Sequence, residues 1–107
     1  MEERDLLIVL YDYYESLLSD KQKEYFSLYY FDNLSLSEIS ENLGVSRNAI
    51  HKSLKSIESL LLDYEDKLKI YDKTKKIEKI IKGSLVEDKV LEVLNKYLDT
   101  TTNMNLL

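Results

Sequence analysis

Proline is absent from this chain, and glycine occurs only at positions 44 and 83 of its 107 residues. Proline ends a helix by removing an amide donor and clashing with the preceding turn, and glycine weakens one through its backbone freedom. With so few interruptions, and with leucine, glutamate, lysine, isoleucine and aspartate abundant, the chain is expected to be nearly all helix. Its length suits one domain, or one small module with an extension. The expected class is all-α.

Apolar residues at Leu7, Leu10, Tyr11, Tyr14, Leu17 and Leu18 follow the three-four spacing of one helical face between Asp5 and Leu18. Ser19-x-x-Gln22 is a capping box that opens a second helix, carrying Tyr25, Phe26, Leu28, Tyr29 and Phe31 and ending at Asp32-Asn33. The frequent tyrosines are read as core rings with their hydroxyls at the rim. Ser35-x-x-Glu38 opens a third helix, with Leu36, Ile39 and Leu43 inward. Gly44 stands where a left-handed residue would stop it, and Ser46 is placed to cap the next. Two such helices joined by about three residues define a helix-turn-helix.

From Ile50 the pattern becomes regular: Leu54, Ile57, Leu61, Tyr64, Leu68 and Tyr71 continue a four-three alternation without a breaker. One long helix from Arg47 to at least Asp72 is predicted. Such a repeat serves two architectures. Leu54, Ile57, Leu61, Tyr64 and Leu68 can form a coiled-coil seam between two copies, making a homodimer, or the helix can pack back on the first two within one chain. Beyond Tyr71, Ile70, Ile77, Ile80 and Ile81 lie among Lys73, Lys75, Lys76, Lys79 and Lys82. Gly83-Ser84 interrupts the run, and Ser84-x-x-Glu87 caps a further helix from Leu85 to Leu98. The expected organisation is a helix-turn-helix unit with the start of the long helix over 1–72, a basic extension and C-terminal helix over 73–98, and a flexible tail over 99–107.

The formal net charge of −5 speaks against indiscriminate coating of nucleic acid, but the charges are segregated. Residues 1–42 hold three Lys/Arg against ten Asp/Glu, and residues 43–82 hold ten against six. Exposed charges more than roughly 8 Å apart are largely screened at physiological salt, so a basic face can act on an acidic protein. With Ile50 and Leu54 buried, Arg47, Asn48, His51, Lys52 and Lys55 project outward behind Ser46. In a helix-turn-helix, the first turns of the second helix enter the major groove, and Arg and Asn can pair bidentately with guanine and adenine edges. Ser46, Arg47, Asn48, His51, Lys52 and Lys55 are the candidate nucleic-acid-binding residues, with Gly44 as the structural turn. About three cations per protomer give weak duplex binding at cellular salt, so a dimer would bind better.

Other chemistries find little support. The two glycines form no phosphate loop, and His51 has no carboxylate partner at ligand spacing on its own face. Asp63, Glu65 and Asp66 alternate with Lys67 and Lys69 as surface charge. No serine stands in a nucleophile–base constellation. An enzyme, a metal, a cofactor or a small-molecule substrate is therefore not expected. Without cysteine, and with only a very short apolar run near the N-terminus where a membrane span needs about 20 residues, a cytoplasmic protein is expected.

The stretch SLLSDKQKEYFSLYYFDNLSLSEISENLGVSRNAIHKSLKSIESLLLDYEDKL resembles the YlxM family of small bacterial helix-turn-helix proteins. The motifs that carry the resemblance are Leu18 with Lys21-Gln22, Ser27–Tyr30 followed by Asp32-Asn33, Ser35–Ile39, Gly44–Arg47 and Leu61–Leu68. Its inner portion also looks like region four of sigma factors. The resemblance implies a sigma region-four-like core of three or four helices with a long C-terminal helix. Because the family's genes usually lie beside those of the signal recognition particle, it also implies a regulatory or accessory role in protein targeting. The partner would then be the particle's RNA or protein. The alternatives are a dimeric regulator that reads duplex DNA and an adaptor whose apolar stripe binds another protein's helix.

Overall fold

The computed structural model describes residues 1–83, together with residues 92, 95 and 96. It forms α1 (Glu3–Tyr14), α2 (Asp20–Phe26), α3 (Leu36–Leu43), α4 (Arg47–Leu68) and α5 (Ile70–Gly83), with no strand among the described residues. The all-α helix-turn-helix class read from the sequence is what is seen. Of the predicted helix over Leu85–Leu98 only Glu92, Asn95 and Lys96 are among the described residues, and all three are helical; the rest of it and the tail lie outside them.

α4 is the spine. Ile50, Leu54, Ile57 and Leu61 lie on one face of it at four-three-four spacing and are all buried. α1, α2 and α3 each pack against α4, contributing Leu7, Leu10, Tyr11 and Tyr14, then Tyr25 and Phe26, then Ile39. Withdrawing each such side chain from water stabilises the fold by about 1.5–3 kcal/mol. Of the two architectures open to the stripe, the intrachain one forms. Leu54, Ile57 and Leu61 are covered by their own chain and offer no surface to a second copy. Tyr64 is half-buried, its ring 6.0 Å from that of Tyr14, and Leu68 alone of the proposed seam is exposed.

Two elements depart from the periodic reading in the N-terminal half. α1 stops at Tyr14 and continues as a 3-10 turn over Glu15–Leu17. That change of winding turns Leu17 out to solvent while Leu18 stays buried. α2, capped by the expected box at Ser19 and Gln22, widens into a π-helical turn over Ser27–Phe31. There the Asp32 amide donates to the carbonyl of Ser27, five residues back, at 2.9 Å. Tyr30 is buried, and its ring stacks on Phe26 at 4.3 Å, with Tyr11 on the other face of Phe26 at 4.4 Å. Phe31 is exposed, edge-on to Tyr11. Arg4 fastens the end of this segment to α1. Its Nη2 donates to the Tyr30 carbonyl and to Asn33 Oδ1, both at 3.1 Å, and its guanidinium lies 4.8 Å from the centre of the Tyr30 ring.

The single long helix expected from Arg47 to Asp72 is interrupted at Lys69, which takes a left-handed conformation (φ 54°). No glycine or proline causes the break; side chains stabilise it. The Glu65 carboxylate accepts hydrogen bonds from the amides of Tyr71 and Asp72, each at 3.1 Å. The Tyr14 hydroxyl donates to Glu65 Oε1 at 2.6 Å and accepts from the Ile70 amide at 3.1 Å. Three amides at the start of α5, which an uninterrupted helix would have bonded internally, thus find partners. α5 also rests on α1, where the Tyr13 and Tyr71 rings lie 5.6 Å apart. The boundary drawn at residues 72 and 73 falls inside α5.

Burial and the bond to Glu65 push the Tyr14 hydroxyl up from 10 to about 12. A tyrosine protonated more firmly in the folded state contributes stability that is fully present below pH 10 and is lost as pH rises toward about 12. Alkaline titration of the fold is expected to show loss in that window, and a smaller loss in Tyr14→Phe. At neutral pH, Tyr14→Phe should cost about 1–2 kcal/mol and raise hydrogen exchange at the Ile70 and Tyr71 amides. Leu61→Glu places a carboxylate at a fully buried site. Circular dichroism should show unfolding or a loss of at least about 3 kcal/mol, rather than a folded chain of lower oligomer mass.

Candidate nucleic-acid interface

The turn between α3 and α4 is built as the sequence implies. Ser35 and Glu38 form a reciprocal capping box at the start of α3, and the bond from the Ser35 amide holds the Glu38 carboxyl below its ordinary value. Gly44 ends α3 at φ 66°, ψ 29°, donating to the carbonyl of Ser40 at 3.0 Å. Val45 is half-buried in the corner. Ser46 Oγ accepts from the Ala49 amide at 3.1 Å and starts α4. Ser40 was not singled out from sequence, yet its hydroxyl donates to the carbonyl of Val45 and ties the two sides of the turn together. Nothing in the local spacing distinguishes this serine from an exposed helical one.

With Ile50 and Leu54 buried, the opposite side of α4 is open. Arg47, Asn48, His51 and Lys52 are all exposed, and none is held in a hydrogen bond or ion pair among the described residues. Arg47, Asn48 and His51 line a shallow groove with Leu36, so α3 forms one wall of the face. Ser46 is exposed too, but its oxygen serves as the helix cap. Lys55 differs from the other cations. Its ammonium lies 3.4 Å from Glu58 Oε1, and the other oxygen of that carboxylate accepts from the Tyr30 hydroxyl at 2.6 Å. Burial and this bond push the Tyr30 hydroxyl well above its ordinary value. The positive charge of Lys55 is thus partly answered within the chain, although an exposed pair of this kind contributes little stability.

The surroundings of the face are uneven. α3 carries no cation, and its Glu38 and Glu41 are exposed. On the other flank, the start of α2 brings Lys21 to a groove shared with Ser53 and Ser56 of α4. The face therefore holds donors suited to phosphate and base edges along α4, with Leu36 of α3 as its wall. Among the described residues, no cluster of three His, Cys, Asp or Glu is placed to hold a metal ion.

A capped helix, a left-handed glycine and a second capped helix with an open polar face define a helix-turn-helix protein. Residues 1–100 match the family described as "Putative helix-turn-helix protein, YlxM / p13 like", and the chain belongs to that family. It is 44% identical over 102 residues to a UPF0122 protein of Clostridium kluyveri, covering 90% of this chain and 92% of that protein. It is also 42% identical over 81 residues to a UPF0122 protein of Bacillus thuringiensis, covering 76% of this chain and 74% of the relative. A similar protein of Anoxybacillus flavithermus is 43% identical over 81 residues, with the same coverage.

A Cβ at position 44 would meet no atom within 4 Å, so substitution there is opposed by backbone conformation alone. Gly44→Val should cost about 1–2 kcal/mol or somewhat more, because a β-branched residue resists positive φ. A thermal melt should fall by about 5–15 °C. Gly44→Asn, which tolerates the left-handed region, should fall less. Equal melting of all three proteins would show that the turn is not under this constraint.

Proposed function

We propose that this chain is a nucleic-acid-binding accessory protein of the signal recognition particle system, contacting the particle's RNA through the face formed by Arg47, Asn48, His51 and Lys52. The observation that carries this reading is the set of four adjacent polar side chains, exposed and unpaired, on a helix fixed by the turn behind it. Their chemistry suits nucleic acid: two cations for phosphate, and an amide and an imidazole that donate and accept at base edges. The resemblance to the YlxM family supports the choice of pathway. The choice of RNA rests on that resemblance, since the glutamates of α3 would repel the phosphates of either nucleic acid.

A second reading, a regulator of duplex DNA, is favoured by the Arg47-Asn48 pair, whose side chains are able to read guanine and adenine. Fluorescence anisotropy with the full chain separates the two. The particle's RNA and a random-sequence duplex are each titrated over a series of salt concentrations. Tighter binding to the RNA is expected. The double variant Arg47→Ala/Lys52→Ala should lose at least about tenfold in affinity and flatten the salt dependence by about 0.7–0.9 per lost phosphate contact. Binding left intact in the double variant would contradict the assigned face. Preference for duplex would move the protein to the second reading.

A further inference from the structure

α5 plays no part in the face on α4, yet it carries the largest exposed apolar side chains in the C-terminal part of the described structure. Ile70 is 38% exposed, Ile77 45% and Ile80 69%, with Leu68 just before the break at 43%. At 100° per residue, Ile70, Ile77 and Ile80 fall within one 80° sector of the helix. Tyr71 and Glu78, both half-buried, fall on a different side. Among the described residues the isoleucine stripe has no partner that would explain it.

The helix that carries it is cationic. Lys75 and Lys76 are paired with Glu78 and Asp72, so the carboxylates of α5 are answered within the helix. Lys69, Lys73, Lys79 and Lys82 are exposed and have no ion-pair partner among the described residues. Lys73 falls inside the angular sector of the isoleucines. A protein groove that took up the stripe would have to desolvate that ammonium. At a lipid surface its methylene stem can lie along the apolar layer while the charge reaches the headgroups. No helix of the described residues is long and apolar enough to cross a membrane, so the geometry is that of a helix lying in the interface.

We propose that α5 docks the protein on anionic lipid surfaces, with Ile70, Ile77 and Ile80 entering the headgroup boundary, Lys73 meeting lipid phosphates from within their sector, and the other lysines of the helix adding attraction to the charged surface. Charge complementarity selects this occupant over a second copy, because two α5 helices brought together would set lysine against lysine. Three isoleucines without lysines give weak interfacial binding, and each cation near an anionic surface adds about fivefold. Binding should therefore require both, and should weaken with salt.

Flotation of the full chain with vesicles tests this. Vesicles of phosphatidylglycerol and phosphatidylcholine in equal parts should carry the protein at low salt, and pure phosphatidylcholine vesicles should not. Ile77→Asn/Ile80→Asn changes two exposed positions and should preserve the circular dichroism spectrum while reducing binding at least about tenfold. Lys73→Gln/Lys79→Gln should reduce it to a similar degree. Arg47→Ala/Lys52→Ala should leave it unchanged, which keeps this result separate from that of the RNA titration. Absence of flotation with anionic vesicles would overturn the proposal. So would flotation indifferent to the isoleucines, or a monomer–dimer equilibrium abolished by the isoleucine variant, which would assign the stripe to a second copy. Loss of RNA affinity in the lysine variant without any vesicle binding would assign α5 to the nucleic acid instead.

Discussion

The apolar stripe of α4 is the constraint on which the rest of the molecule depends. Ile50, Leu54, Ile57 and Leu61 are buried by three helices from the same chain. Because a helix is rigid on this scale, burying one side fixes the direction of the other. Arg47, Asn48, His51 and Lys52 therefore point outward as a consequence of core packing, and no separate device is needed to present them. The Gly44 turn supplies what packing cannot, a reversal short enough for α3 to remain beside the first turns of α4.

Tyrosine and glutamate organise the remainder. Tyr30 donates to Glu58 and Tyr14 to Glu65, two carboxylates seven residues apart on α4, both at 2.6 Å. Each bond joins a core ring to the rim of the spine, satisfying a polar group that burial would otherwise penalise. Their outcomes differ. Glu58 also meets Lys55 and draws charge away from the outer face. Glu65 also caps α5 and bends the chain away from the course of α4. That bend separates the polar face on α4 from the isoleucine-lysine helix, giving the protein two chemically distinct surfaces.

The sequence makes the helix-turn-helix legible because its signals are local. Two capping serines, a glycine at the required interval and a three-four stripe all act within one or two turns, and the exposed face follows as the complement of that stripe. The break at Lys69 was not legible, because it depends on Tyr14, which is 56 residues from the Ile70 amide it accepts from. The heptad pattern was legible but ambiguous, since the same spacing serves a seam between chains and a spine within one. Leu17 and Phe31 misled for a related reason: the 3-10 and π turns change the winding, so a constant 3.6-residue period misplaces the residues beyond them. The pairing of Lys55 with Glu58, three positions on, was readable in principle from helical spacing alone.

The contact surface proposed for this protein is the outer face of the first two turns of α4. Nuclear magnetic resonance of the labelled full chain, titrated with the signal recognition particle RNA, addresses it most directly. Backbone amides between Ser46 and Lys52 and the His51 imidazole should shift progressively, while amides around Leu7 and Leu10 in the core of α1 stay in place. Perturbation confined to other helices, with the Arg47–Lys52 resonances unmoved at saturation, would contradict it.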